Sequence, residues 1–272
     1  MATKKERQRE LARQAYERRI DRQSARAKRT RQVWVAAIAA VLVLGVGTGS
    51  AALAGVFKSN QGKKPAASAS PAASASASPT AVAAMVNGKC VYTTNGTASR
   101  KVSLPPATPD TAASYTATMT TNRGPIVISL LNSKAPCTVN SFVSLADQKY
   151  FNNTPCHRLT TSGIFVLQCG DPTGTGSGGP GYKFGDENLK GATYPTGTVA
   201  MANAGPGTNG SQFFLVYKNT PLPANYTPFG TITSGLSVVQ AVAAAGSDNS
   251  NGAGDGHPKE SVQIESMTIS KT

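Results

Sequence analysis

From about residue 113 to the C-terminus the chain consists of short apolar runs separated by glycine, proline and asparagine, and this rhythm restricts it to a β fold with tight turns. Tyr115-Thr116-Ala117-Thr118-Met119-Thr120 leads into the turn signal Asn122-Arg123-Gly124-Pro125, which is followed by Ile126-Val127-Ile128-Ser129-Leu130. Runs rich in β-branched residues around a Gly/Pro turn read as a hairpin. Further short strands are expected at 198–202, 212–216, 227–231 and 262–269. Two segments have helical spacing instead. Residues 136–150 place Val139, Phe142, Val143, Leu145 and Ala146 on one face, with Pro136 suited to a helix start, and residues 236–245 end at Gly246. Many strands, two helices and no β-α-β alternation predict an antiparallel barrel capped by helices.

The chain before this region is composed differently. Residues 1–32 hold twelve Lys/Arg against four Asp/Glu, so twelve minus four, +8, of the total +14 sits in a short basic segment. Residues 33–57 then carry no charge and include Trp34, Ile38, Leu42, Leu44 and Leu53. A helix of that length spans the roughly 30 Å hydrocarbon core of a bilayer. The Lys/Arg excess on its N-terminal side puts residues 1–32 in the cytoplasm and everything after Phe57 outside. The alternative is a cleaved secretory signal, for which Ala52-Leu53-Ala54 is a passable site. The apolar run exceeds a signal's usual core, so an uncleaved, single-pass signal anchor is the preferred reading. Tyr16 is the sole aromatic of the basic segment, which gives no stacking platform for nucleic acid. Residues 58–84 are Ala/Ser/Pro-rich and read as a disordered linker. Residues 85–112, with Cys90, Tyr92, Val102 and Pro105-Pro106, read as an extended lead-in on the domain surface, and 113–272 is the folded domain.

Four cysteines, Cys90, Cys137, Cys156 and Cys169, fall in the region placed outside the cell, where disulfides are permitted. Four cysteines allow three pairings, and the spacing does not choose between them. If Cys156 and Cys169 lie on adjacent strands of a hairpin, they can pair directly.

Two stretches carry most of the functional information. The first is Cys156-His157-Arg158-Leu159 running to Phe165-Val166-Leu167-Gln168-Cys169-Gly170-Asp171. The second is Met201-Ala202-Asn203-Ala204-Gly205-Pro206-Gly207-Thr208-Asn209-Gly210-Ser211-Gln212-Phe213-Phe214. Together, and in this order, they resemble the cyclophilin family of peptidyl-prolyl cis-trans isomerases. The resemblance covers nearly all of 113–272 and nothing before it. It implies a closed barrel of eight antiparallel strands capped by two helices. It also implies that Arg158 is the catalytic residue. Phe165, Val166, Gln168, Ala202, Asn203, Ala204, Gln212, Phe214, Leu222 and Tyr226 would then bind substrate. In that reading Phe165 and Phe214 floor a proline pocket, Asn203 offers backbone groups, and Gln168 and Gln212 fix peptide carbonyls.

The chain departs from the family pattern in four places. Thr160-Thr161-Ser162-Gly163-Ile164 makes the Arg158-to-Gln168 spacing two residues longer. Val166 replaces a frequent methionine, Tyr226 a usual histidine, and Pro221 a tryptophan associated with cyclosporin contact. Weak cyclosporin binding is therefore expected.

Other motifs do not hold. Gly174-x-Gly176-x-x-Gly179 is followed at once by Pro180-Gly181, so no helix N-terminus is available for a pyrophosphate, and the segment reads as a surface loop. His157 and His257 are the only histidines. His157 points to the opposite strand face from Cys156, which argues against a zinc site. With no Gly-x-Ser-x-Gly and His257 in a Gly/Asp-rich loop, a serine triad has no good base. No metal or cofactor is expected, since rotating an amide breaks no bond. The expected partners are proline-containing polypeptides and, through residues 33–57, the membrane, with the protein a monomer. A rival reading is a tethered proline-peptide binding module or holdase chaperone whose isomerase activity is vestigial.

Overall fold

The computed structural model describes residues 83–272. The expected basic segment, membrane span and linker lie outside the described residues. Among the described residues no helix is long and apolar enough to cross a membrane.

In chain order the strands are β1 (Met85–Val86), β2 (Lys89–Cys90), β3 (Tyr92–Thr94), β4 (Tyr115–Thr121), β5 (Gly124–Leu130), β6 (Thr154–Pro155) and β7 (Arg158–Thr160). They continue with β8 (Val166–Cys169), β9 (Tyr182–Phe184), β10 (Thr198–Met201), β11 (Phe213–Val216), β12 (Pro228–Ser234), β13 (Asp255–Gly256) and β14 (Gln263–Lys271). Two helices, α1 (Pro136–Asp147) and α2 (Leu236–Ala245), complete the fold.

The turn at Asn122-Arg123 closes β4 onto β5 in the expected hairpin, with Tyr115 opposite Leu130 and Thr121 opposite Gly124. Ala117, Met119 and Thr121 of β4, with Ile126, Ile128 and Leu130 of β5, turn inward and are buried. The period of two thus gives the hairpin one core face. Phe142 of α1 fills the interior, its ring 5.0 Å from Phe151, 5.5 Å from Phe213 and 5.2 Å from Phe229. The first turn of α1 has no cap of its own. Instead the Glu187 carboxylate accepts the Cys137 and Thr138 N–H groups at 3.1 and 2.7 Å, supplying negative charge where a helix start needs it. α2 is entered through Gly235 at φ 82°, where any side chain would collide with the Pro125 carbonyl.

The main sheet corrects the expectation of a closed eight-stranded barrel. It is a curled sheet of ten strands in the order β13-β7-β8-β11-β10-β12-β5-β4-β14-β6. Two features raise the count. One extended run from Thr154 to Thr160 is broken at Cys156-His157 into β6, which pairs with β14, and β7, which pairs with β8. The two-residue β13 adds itself beyond β7.

The lead-in, expected on the surface, is fastened there. β1 and β2 form a hairpin around Asn87-Gly88, both at positive φ, and β3 pairs with β9. Tyr92 donates its hydroxyl to the Cys137 carbonyl at 2.8 Å. One Arg100 amino group meets the carbonyls of Lys149, Tyr150 and Asn152 at 3.0, 2.9 and 2.7 Å. All four cysteines are paired, Cys90 with Cys137 and Cys156 with Cys169. The second bond joins the break between β6 and β7 to the end of β8.

Candidate active site

Strand register brings the two motif stretches together. Arg158 of β7 lies opposite Gln168 of β8, Gln168 lies opposite Phe214 of β11, and Phe214 lies opposite Ala200 of β10. Directly opposed residues of antiparallel strands share a face, so these four make one row across the outside of the curled sheet. Val166, two residues before Gln168, shares that face. Val166, Ala200, Phe214 and Val216 form a buried apolar cluster with Tyr194, and Ile164, Ala192, Ala202, Leu222 and Tyr226 pack against it. Five expected substrate-binding residues, Val166, Ala202, Phe214, Leu222 and Tyr226, therefore come together beside Arg158.

Phe165 does not join them. By alternation it faces the other side of the sheet, where it packs against the main core and stands edge-on to Tyr217 at 6.1 Å. Its ring is covered by the Lys218 ammonium at 4.5 Å. Phe214 instead has Tyr226 edge-on at 5.7 Å and Tyr194 at 6.3 Å. Tyr194 escaped sequence reasoning. Its hydroxyl donates to the Tyr226 carbonyl at 2.8 Å and accepts the Tyr226 N–H at 3.0 Å, which fixes that side of the pocket.

The polar half of the site is a chain of hydrogen bonds. Arg158 Nε and Nη2 donate to the two carboxylate oxygens of Asp255 at 2.8 and 2.6 Å, and Nη1 donates to Gln168 Oε1 at 3.2 Å. Gln168 Nε2 donates to Gln212 Oε1 at 2.9 Å, and Gln212 Nε2 donates to the carbonyls of Gly176 and Gly178 at 3.0 and 2.9 Å. Asp255 raises the pKa of Arg158, and Arg158 lowers that of Asp255, so both are charged at neutral pH. The glutamine amides, expected to hold peptide carbonyls, are engaged in aligning Arg158 and the 174–181 loop. That loop is more than surface. With Asn95, Gly96 and Thr97 of the lead-in and with Ala202, Asn203 and Ala204, it walls a cleft of about 500 Å³ that ends at Gln168 and Gln212. Asn203 bonds the Asn225 carbonyl at 2.9 Å, tying the cleft to the loop that carries Leu222 and Tyr226.

An apolar cluster with a guanidinium at its edge is the arrangement the two motif stretches build. The family model described as cyclophilin type peptidyl-prolyl cis-trans isomerase/CLD matches residues 116–269. The chain belongs to this family. The chain is 48% identical over 197 residues to a probable peptidyl-prolyl cis-trans isomerase B of Mycobacterium leprae, covering 66% of each chain. A Mycobacterium tuberculosis relative of the same name is 49% identical over 175 residues, covering 59% of this chain and 56% of that one. The chain thus spans between half and two thirds of the length of these relatives. Among solved structures, a Cryptosporidium parvum cyclophilin type isomerase superposes with a TM-score of 0.53 at 32% identity, covering 58% of this chain and 99% of that chain. The same parasite protein in the presence of the dipeptide Ala-Pro gives a TM-score of 0.52. The β1–β3 lead-in of this cyclophilin lies before the matched residues, yet it contributes Asn95, Gly96 and Thr97 to the cleft.

Proposed function

We propose that this chain is a peptidyl-prolyl cis-trans isomerase that acts on Xaa-Pro bonds of extracytoplasmic proteins while tethered to the membrane by residues 33–57. The observation that carries the reading is the row Arg158–Gln168–Phe214, which sets a charged donor at the edge of an apolar cluster. Isomerase names among the relatives agree with it.

Rotation about an Xaa-Pro amide faces a barrier of about 18–20 kcal/mol because the nitrogen lone pair is delocalised into the carbonyl. No nucleophile or metal is needed to lower it. A guanidinium that hydrogen-bonds the twisted amide supplies roughly 1.5–3 kcal/mol, about ten- to a hundredfold in rate. Turnover near 10³ s⁻¹ asks for about 6 kcal/mol, so Arg158 cannot act alone. Val166, Ala202, Phe214, Leu222 and Tyr226 desolvate the proline ring, and the Asn203 backbone and the cleft beyond it hold the flanking chain. Binding the twisted state more tightly than either planar state is the common requirement.

The test is exchange between the cis and trans signals of an Ala-Pro peptide with the full chain. Catalysed exchange cut at least about tenfold by Arg158→Ala supports the reading, and uncatalysed exchange by the unmodified chain despite peptide binding would leave the rival, a proline-peptide binding module or holdase.

The tether rests on the +8 basic lead and the charge-free run that follows it. Two disulfides suit an oxidising compartment. Protease added outside intact cells should release a fragment beginning within residues 58–84. Protection of the folded domain would reverse the orientation, and a secreted form lacking the anchor would support signal cleavage.

A further inference from the structure

We propose that Asp255 is a positioning residue for Arg158, held in place by a bracket built from the enlarged 160–164 turn and the 247–258 loop. The inference rests on the isomerase reading and extends it to a residue outside both motif stretches.

The bracket is visible in the backbone. β13 pairs Asp255 with Thr160 and Gly256 with Leu159, and Thr161 N–H donates to the Gly254 carbonyl at 2.7 Å. Gly254, at φ 78°, sits so close to the turn that a Cβ there would lie 2.6 Å from the Ser162 Cβ. Thr161 and Ser162 belong to the stretch that makes this chain longer than the family pattern, so the extra residues form the seat for the loop carrying Asp255. The other end of the loop is closed by Asp248. Its Oδ1 accepts the N–H groups of Ser250 and His257 at 3.0 and 2.8 Å and the Ser250 hydroxyl at 2.7 Å. Asn251 adds a bond from its amide to Asp255 Oδ1 at 3.3 Å. The carboxylate is thereby presented with both oxygens toward the guanidinium.

The two-point contact does what a single bond cannot. It fixes the plane of the guanidinium as well as its distance, and Gln168 fixes its free end. The hydrogens of Nη1 and Nη2 not used by Asp255 and Gln168 remain for the amide. The pair is part-exposed, with 35% and 28% of the two side chains accessible, so it adds little to stability. Orientation is its main effect, and misorientation of a catalytic group costs rate rather than affinity.

The experiment compares the full chain with Asp255→Ala, Asp255→Asn and Arg158→Ala by cis–trans exchange on an Ala-Pro peptide, from neutral pH down to about pH 3, below the ordinary aspartate value. Asp255→Ala should lower kcat about tenfold while KM changes less than twofold, and Asp255→Asn, which keeps one acceptor, should recover most of the loss. The pH profile separates this role from a purely structural one. The titratable groups around the ion pair are His157 and Tyr226, which act on Arg158, and Asp248 and His257 on the loop that carries Asp255. Asp255→Asn leaves these groups in place and removes the Asp255 carboxylate alone. Because Arg158 lowers the pKa of Asp255, wild-type kcat should fall only below the ordinary aspartate value, as the carboxylate protonates and releases the guanidinium, and that limb should be missing in Asp255→Asn. Turnover of Asp255→Ala within twofold of wild type, or an acid limb retained in Asp255→Asn, would overturn the proposal while Arg158→Ala remained impaired. Full activity of Arg158→Ala would instead overturn the isomerase mechanism itself, and the inference with it.

Discussion

The two halves of the site are built on opposite principles. The apolar half draws Val166 from β8, Ala200 from β10 and Phe214 and Val216 from β11, three strands that lie side by side, and a single loop adds Leu222 and Tyr226. The polar half runs Asp255–Arg158–Gln168–Gln212–Gly176, five groups from five segments joined by single hydrogen bonds apart from the paired contact at Asp255. Packing holds the first half, so a change there costs stability and function together. Geometry holds the second, and a change there should cost function alone.

Phe214→Ala should break the apolar half with the largest effect. The side chain is 4% exposed, and deleting a buried phenylalanine costs about 3–5 kcal/mol. Urea unfolding should read the lower end of that range because one edge faces the pocket, and peptide KM should rise with it. A stable variant with normal KM would show that the cluster is not the proline pocket. Arg158→Ala is the counterpart on the polar half. Turnover should drop at least about tenfold, the value of one charge-assisted hydrogen bond, while the melting temperature stays nearly unchanged. Unfolding instead of inactivation would make the two halves alike after all.

Pro221 sharpens the comparison at the rim, where it is exposed beside the apolar half. Proline offers little surface and no N–H donor, so cyclosporin should bind weakly to the unmodified domain. Pro221→Trp should tighten it by about tenfold, part of the roughly 2 kcal/mol a good anchor is worth. Nanomolar binding to the unmodified domain by calorimetry would remove the rim from the argument. The smallest effect concerns His157, buried behind Arg158 with both ring nitrogens lacking a partner. Burial lowers its pKa, against the opposing pull of Asp171. Below the unfolded value of about 6.5 the unfolded chain gains a proton that the folded one refuses. Stability from this group is therefore complete above that pH and falls as the pH drops, by less than about 1.4 kcal/mol per unit. Melting curves at pH 7.5 and 5.5 should show the loss in the wild type and a smaller one in His157→Leu.

Where side chains repeat along one strand or helix, the sequence made the outcome readable. The 122–125 turn closes the first hairpin, and α2 covers the expected 236–245. α1 ends at Asp147 rather than 150 because Lys149 turns left-handed at φ 58° and caps the helix through Ala146. The motif stretches located Arg158, Gln168 and Phe214, and strand alternation then removed Phe165 from the group they form. What stayed hidden needed distance in sequence to become closeness in space. Asp255 lies 97 residues after Arg158, in a Gly/Asn-rich stretch with the composition of any loop. Tyr194 lies 32 residues before Tyr226, in a segment with no periodicity. The cysteine count suggested disulfides, but the pairing of Cys156 with Cys169 stayed conditional until β7 and β8 proved to be neighbours. No spacing argument could tie Cys90 to Cys137.

The Cys90–Cys137 bond has a mechanical consequence. The described fold begins at residue 83, and whatever lies upstream is joined to it through β1 and β2. Hydrogen bonds of a two-stranded ribbon separate one at a time under tension, whereas the disulfide is covalent. Its ring spans 47 residues and passes β4 and β5 before it closes on the first turn of α1. A pull from the N-terminal side is therefore delivered to the base of a buried helix, on a path that bypasses β7, β8 and β11. The strands that carry Arg158, Gln168 and Phe214 lie off that path, so a load entering from the N-terminal side reaches the helix before it reaches them.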